Sequence, residues 1–134
     1  MTQDTSITEL TLYEQLGGAE KLRTLVDRFY DLMALDANFQ GIRQMHPTPM
    51  DSSRDKLFWF LSGWMGGPDL FTEKFGHPRL RARHLPYSIG ISERNQWLIC
   101  MGTAMEELAI EEPLRDHLWQ SFSQTADWMR NRAE

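Results

Sequence analysis

The chain has 134 residues, 19 acidic side chains against 14 basic ones, a net charge of −5 at neutral pH and a single cysteine. That length sustains one domain with a real core and is too short for two of ordinary size, and the acidic balance argues against a general nucleic-acid-binding surface. Cys100 has no intramolecular disulfide partner, residues 1–10 lack the apolar core of a signal peptide, and no apolar run reaches the ~18 residues that span a bilayer, so a cytoplasmic protein off the membrane is expected.

Residues 1–10 have little periodicity and read as a flexible N-terminal arm, leaving 11–134 as a single domain. Thr11 followed three residues later by Glu14 is a capping box, and Gly17-Gly18 ends the short helix it starts. From Ala19 the apolar residues Leu22, Leu25, Val26, Phe29, Tyr30 and Met33 recur at helical spacing and share one face. His46-Pro47-Thr48-Pro49 marks a loop, because proline removes an amide donor and disfavours helical geometry before it. Ser52 or Ser53 is then expected to cap a helix bearing Leu57, Phe60, Leu61, Trp64 and Met65, closed by Gly66-Gly67-Pro68. Between Asp69 and Ile91 periodicity fades among Gly76, Pro78, Pro86 and Gly90, predicting a long, largely irregular connection, which in a compact domain is usually functional. Ser92 is expected to cap a helix with Trp97, Met101, Ala104, Met105 and Leu108, and Pro113 suits the first turn of a last one with Leu114, Leu118, Phe122 and Met129. No segment alternates with period two for long; the fold class is all-α.

The histidines at 46, 77, 84 and 117 show no HExxH pattern and no cysteine at zinc spacing, which argues against a multi-ligand metal site. Haem needs only one axial imidazole from the protein, since the porphyrin supplies four nitrogens. His84 lies in an arginine-rich run, His77-Pro78-Arg79-Leu80-Arg81-Ala82-Arg83-His84-Leu85-Pro86-Tyr87, which by itself reads first as a solvated basic loop, with a phosphate site built from bidentate arginines or an axial ligand with cations beside it as the functional alternatives. His46 reads as a loop histidine and His117 as a surface one. Tyr30 and Trp97 sit on faces expected to be buried and carry polar groups that need partners, either within the core or from a ligand. Most of the five tryptophans and eight methionines read as core packing, Cys100 included, and Glu106-Glu107 with Glu111-Glu112 as a solvated face.

Several segments, in order, resemble group II truncated haemoglobins: Leu12-Tyr13-Glu14-Gln15-Leu16-Gly17-Gly18, Arg28-Phe29-Tyr30, Trp64-Met65-Gly66-Gly67-Pro68, Gly76-His77-Pro78-Arg79-Leu80-Arg81, Arg83-His84-Leu85-Pro86 and Glu93-Arg94-Asn95-Gln96-Trp97-Leu98. The resemblance implies a two-over-two helical sandwich around haem b, with the irregular segment in place of much of the proximal helix. It implies His84 as the iron ligand, with Lys56 and Arg83 meeting the propionates, Leu57 and Phe60 as apolar walls, and Phe71 and Tyr87 as further haem neighbours. On the distal side the matching polar positions are Tyr30, His46 and Trp97, while Ser53 occupies a distal position but is too short to reach a ligand. His46 departs from the tyrosine common in the family and makes the distal cluster titratable, so ligand kinetics are expected to change between roughly pH 5 and 8.

The implied function is binding of dioxygen and other diatomic ligands at ferrous iron. Hydrogen-bond donors in the pocket would slow release, which points toward redox chemistry, nitric oxide oxidation or peroxide turnover, rather than transport. Whether the chain is an enzyme, dioxygenase-like or peroxidase-like, stays open. A non-catalytic gas-binding or sensing protein is the alternative, and a helical interaction module without haem is a third reading. Nothing resembles a flavin or nicotinamide site, so catalysis would need a separate reductase. A monomer or a homodimer is expected.

Overall fold

The computed structural model describes residues 10–133, so the expected N-terminal arm lies outside the described residues except for Leu10. The first helix, α1 (Leu12–Leu16), starts as its spacing predicts. The Thr11 hydroxyl accepts from the Glu14 amide at 3.1 Å, and the Glu14 carboxylate accepts from the Thr11 amide at 3.0 Å. Gly17 ends α1 with φ 122°, a backbone conformation that a side chain would strain. Helix α2 (Gly18–Leu35) buries the six residues expected on its inner face, Leu22, Leu25, Val26, Phe29, Tyr30 and Met33. Each contributes on the order of 1.5–3 kcal/mol by leaving water.

Three-residue 3-10 turn Ala37–Phe39 and the single-turn α3 (Gln40–Arg43) follow, neither of which has enough residues to register as periodicity. They bury Phe39 and Ile42. Helix α4 (Asp51–Trp64) begins one residue before the serines expected to cap it. Ser52 and Ser53 therefore lie inside the first turn, where a hydroxyl no longer precedes the free amides, and Met50 stands at the cap without a side-chain hydrogen bond. The connection from Asp69 to Ile91 is more ordered than expected. It contains α5 (Leu70–Phe75) and α6 (Leu80–His84), both too short for a periodic signal.

Helix α7 (Ile91–Glu107) likewise starts before its expected cap: Ser92 is inside it, and the Glu93 carboxylate accepts from the Gly90 amide at 2.8 Å. Pro113 stands just before α8 (Leu114–Trp128), one place earlier than the first turn, and Met129 is buried just beyond its end. The described residues contain no strand. Helices α2 and α4 pack together, α2 also packs on α7, and α7 on α8, giving two helices over two. Their shared core runs from Leu16 through Phe29, Leu61 and Met101 to Phe122. Arg54 of α4 ties the first layer, donating to the Asp27 carbonyl at 3.0 Å and to the Asp31 carboxylate at 2.7 Å.

Candidate functional site

The long inner face of α2 delivers Tyr30 to one end of the core, where it is 4% exposed. Its ring meets Phe29 edge-on at 5.0 Å and His46 edge-on at 5.6 Å, and the Arg54 guanidinium lies 5.8 Å from its centre. Phe29 in turn lies 5.2 Å from Trp97 of α7, which packs on Phe122 at 5.5 Å. Tyr30 and Trp97 thus meet Phe29 from two helices, and His46 stands against the Tyr30 ring. No hydrogen bond to another described residue uses the Tyr30 hydroxyl or the Trp97 indole N–H, so both donors remain available. Burial pushes the Tyr30 phenol above its ordinary range, with the Arg54 charge opposing, so it stays protonated.

His46 is positioned by α3. Its Nδ1 lies 2.8 Å from the Ile42 carbonyl, an acceptor, which makes Nδ1 the protonated nitrogen. The Ile42 amide donates to Gln96 Oε1 at 3.2 Å, next to Trp97 in the chain, and Gln96 Nε2 donates to Ser92 Oγ. Gly41 allows this contact, because a β-carbon there would stand 2.6 Å from the Gln96 amide. Burial lowers the His46 pKa; the Ile42 hydrogen bond opposes, and the charges of Arg43 and His84 lower it further.

His84 ends α6, a helix with no buried residue. Its Nδ1 lies 2.7 Å from the Leu80 carbonyl, fixing the proton there and leaving the Nε2 lone pair free. Arg79, which precedes α6, is left-handed at φ 46°, a strain of roughly 1–2 kcal/mol outside glycine. Arg83 donates to the Pro78 carbonyl at 2.6 Å and lies 5.2 Å over the Phe71 ring. Phe71 is buried and meets Phe60 edge-on at 6.4 Å, and Leu57 and Phe60 are half-buried beside the core. Leu85 and Tyr87 follow His84 in the chain with 56% and 45% of their surface exposed, an amount of uncovered apolar surface that a large planar group would bury. Lys56 and Arg83 make no ion pair among the described residues, unlike Arg23, Arg54 and Arg94. One free imidazole nitrogen, aromatic and aliphatic walls and two cations without an ion-pair partner among the described residues fit an iron porphyrin with two carboxylates. His77 and His117 are exposed and belong to no such cluster.

A family model described as bacterial-like globin matches residues 11–131. The chain belongs to the group II truncated haemoglobins. The group 2 truncated hemoglobin YjbI of Bacillus subtilis is 38% identical over 122 residues, 91% of this chain and 89% of that one. The cold-adapted truncated hemoglobin of the Antarctic marine bacterium Pseudoalteromonas haloplanktis superposes with a TM-score of 0.89 at 46% identity, covering 92% of this chain and 99% of that one. The group II 2-on-2 hemoglobin of Agrobacterium tumefaciens does so with a TM-score of 0.87 at 39% identity, covering 91% and 95%. Family membership carries haem binding and the binding of small diatomic gases. No helix of this truncated haemoglobin's described residues is long and apolar enough to cross a membrane.

Sequence reasoning overlooked three residues of the site. Arg54 and Gln96 act through Tyr30 and His46, and Gln96 stood beside Trp97 in a family motif without being assigned a part. Asn131, which holds the segment after His84, had no sequence signal.

Proposed function

We propose that this globin binds haem b, holds dioxygen tightly and uses it in redox chemistry, oxidation of nitric oxide or turnover of peroxide, rather than carrying it. The observation behind the proposal is that Tyr30 and Trp97 both pack on Phe29, with His46 against the Tyr30 ring, and that neither the Tyr30 hydroxyl nor the Trp97 indole N–H has a hydrogen-bond partner among the described residues. A solved relative, the truncated haemoglobin of Bacillus subtilis, 37% identical, is described as oxygen-avid.

His84 Nε2 is the proposed axial ligand, Lys56 and Arg83 the proposed partners of the propionates, and Leu57, Phe60, Phe71 and Tyr87 the proposed walls. Haem, when bound, supplies reversible gas binding and one-electron chemistry. The lone cysteine is buried and donates to the Phe29 carbonyl at 3.2 Å, away from His84, which supports a non-covalent haem rather than one attached through thioethers. Tyr30 and Trp97 hold protons where a bound gas acquires negative charge. Phe29 and Phe122 keep that region dry, so each donated hydrogen bond acts at low dielectric and slows release. His46, donating Nδ1–H to the Ile42 carbonyl, keeps its other nitrogen as an acceptor.

A reduced, oxygenated preparation mixed with nitric oxide tests the reading. Stoichiometric nitrate formed faster than oxygen is released supports it; oxygen released faster than nitrate forms would assign the protein to gas binding alone. An electron supply from a separate reductase and a cytoplasmic location are parts of the same proposal.

A further inference from the structure

Helix α6 presents a problem that packing does not solve. It carries the proposed axial ligand, is five residues long, and buries none of them. Short helices are marginal without an apolar face to anchor them. The anchoring comes instead from the residues that follow α8.

The Asn131 side chain makes three contacts with the segment leaving His84. Its Nδ2 donates to the Tyr87 carbonyl at 2.7 Å and, more weakly, to the His84 carbonyl at 3.4 Å, and its Oδ1 accepts from the Ile89 amide at 2.9 Å. The backbone adds to this, with the Asn131 and Arg132 amides both donating to the Ile89 carbonyl, at 2.9 and 3.1 Å. Arg132 reaches Ser88 Oγ at 2.8 Å. From the other side, Arg81 of α6 donates to the carbonyls of Trp128 and Arg130, with its guanidinium 5.3 Å from the Trp128 ring centre. A cation at that place also opposes the negative end of the α8 dipole. His84 is therefore braced on both sides in the chain, at positions 81 and 87–89, by residues 128–132.

We propose that Asn131 is the positioning residue of the proximal side: it fixes the peptide segment after His84, and through it the direction of the His84 imidazole. An asparagine is suited to this as few residues are, since one planar amide both donates to a carbonyl and accepts from an amide two residues on. Leucine or alanine there would take the side-chain partner from the part-buried Ile89 amide and leave the Tyr87 carbonyl to solvent. The proposal rests on the assignment of His84 as axial ligand and is independent of which reaction the globin performs.

The test uses the haem-loaded full chain with Asn131→Asp and Asn131→Ala. Aspartate keeps the acceptor for the Ile89 amide and loses the donor to Tyr87 and His84, and it is the variant that decides if alanine fails to fold. Three readouts are taken: the iron–histidine stretching band of the reduced protein by resonance Raman, hydrogen exchange at the Ile89 amide, and haem transfer to excess apomyoglobin. Asn131→Asp is expected to keep Ile89 protected while shifting or broadening the band, and Asn131→Ala to lose both, with haem transfer faster by on the order of tenfold, as for other groups that orient a metal ligand. A band and transfer rate equal to wild type in both variants would overturn the proposal, whatever happens to thermal stability. His84→Ala, measured alongside, tests the underlying assignment separately: the iron–histidine band must vanish there, and its persistence would place the ligand elsewhere.

Discussion

Replacing Tyr30 by phenylalanine isolates the donor from the packing. The ring keeps its edge contacts with Phe29 at 5.0 Å and His46 at 5.6 Å and its position under Arg54, so only the hydroxyl is removed. That hydroxyl has no partner among the described residues, so its loss breaks no hydrogen bond between them, and thermal stability should change far less than for a truncation that opens a cavity. A hydrogen bond to a partly charged acceptor contributes about 1.5–3 kcal/mol. If that bond is made to bound gas and not to the protein, oxygen release should accelerate roughly 10- to 150-fold, at 1.4 kcal/mol per decade. Stopped-flow displacement of oxygen by carbon monoxide measures the rate, and a melting curve on the same sample measures stability. A release rate within twofold of wild type would refute the reasoning, as would a variant whose faster release is matched by a large loss of stability.

Trp97→Phe should also speed oxygen release, by about tenfold, since the indole N–H is removed while an aromatic ring still faces Phe29 and Phe122; an unchanged rate would leave retention to Tyr30 and His46. Burial lowers the His46 pKa, so both folded and unfolded chains hold it neutral above about pH 6.5, and below that the unfolded chain takes up the proton first. Stability should therefore fall as pH drops from about 6.5 toward the lower folded value, with a shallower fall in His46→Phe; equal slopes would remove His46 as the cause. The same lowering moves the expected change in ligand kinetics to the acid end of the pH 5–8 window, leaving release rates flat from pH 7 to 8. Cys100, fully buried with its thiol pushed up to about 12 by burial, should react with thiol reagents only on unfolding, which a labelling time course against denaturant checks.

The elements legible in the sequence were those whose physics is local or strongly periodic. The Thr11–Glu14 capping box formed as its spacing required, and all six apolar residues of the α2 stripe are buried. Two capping assignments failed for a shared reason: Ser52 and Ser92 each sit one place inside a helix, and a good capping residue near a boundary does not by itself fix it to a single position. The ordered turns of the proximal segment were missed because α5 and α6 span six and five residues, less than the two turns needed to display an apolar face. At the site, Tyr30 and Trp97 were legible as polar groups on buried faces. Their grouping with His46 came only from the family resemblance, whereas the Gly41–Gln96 contact that joins α3 to α7, between residues 55 positions apart, is encoded by no local pattern. The bracing of α6 by Asn131 is of the same kind.

Whether His84 carries the haem iron is decided by ultraviolet-visible spectra of the haem-reconstituted protein in ferric, dithionite-reduced and carbon-monoxide-bound states, beside His84→Ala. A Soret band that shifts with carbon monoxide is expected in the wild type, and its alteration or loss in the variant. Identical spectra in the two proteins would contradict the assignment of His84 as the ligand.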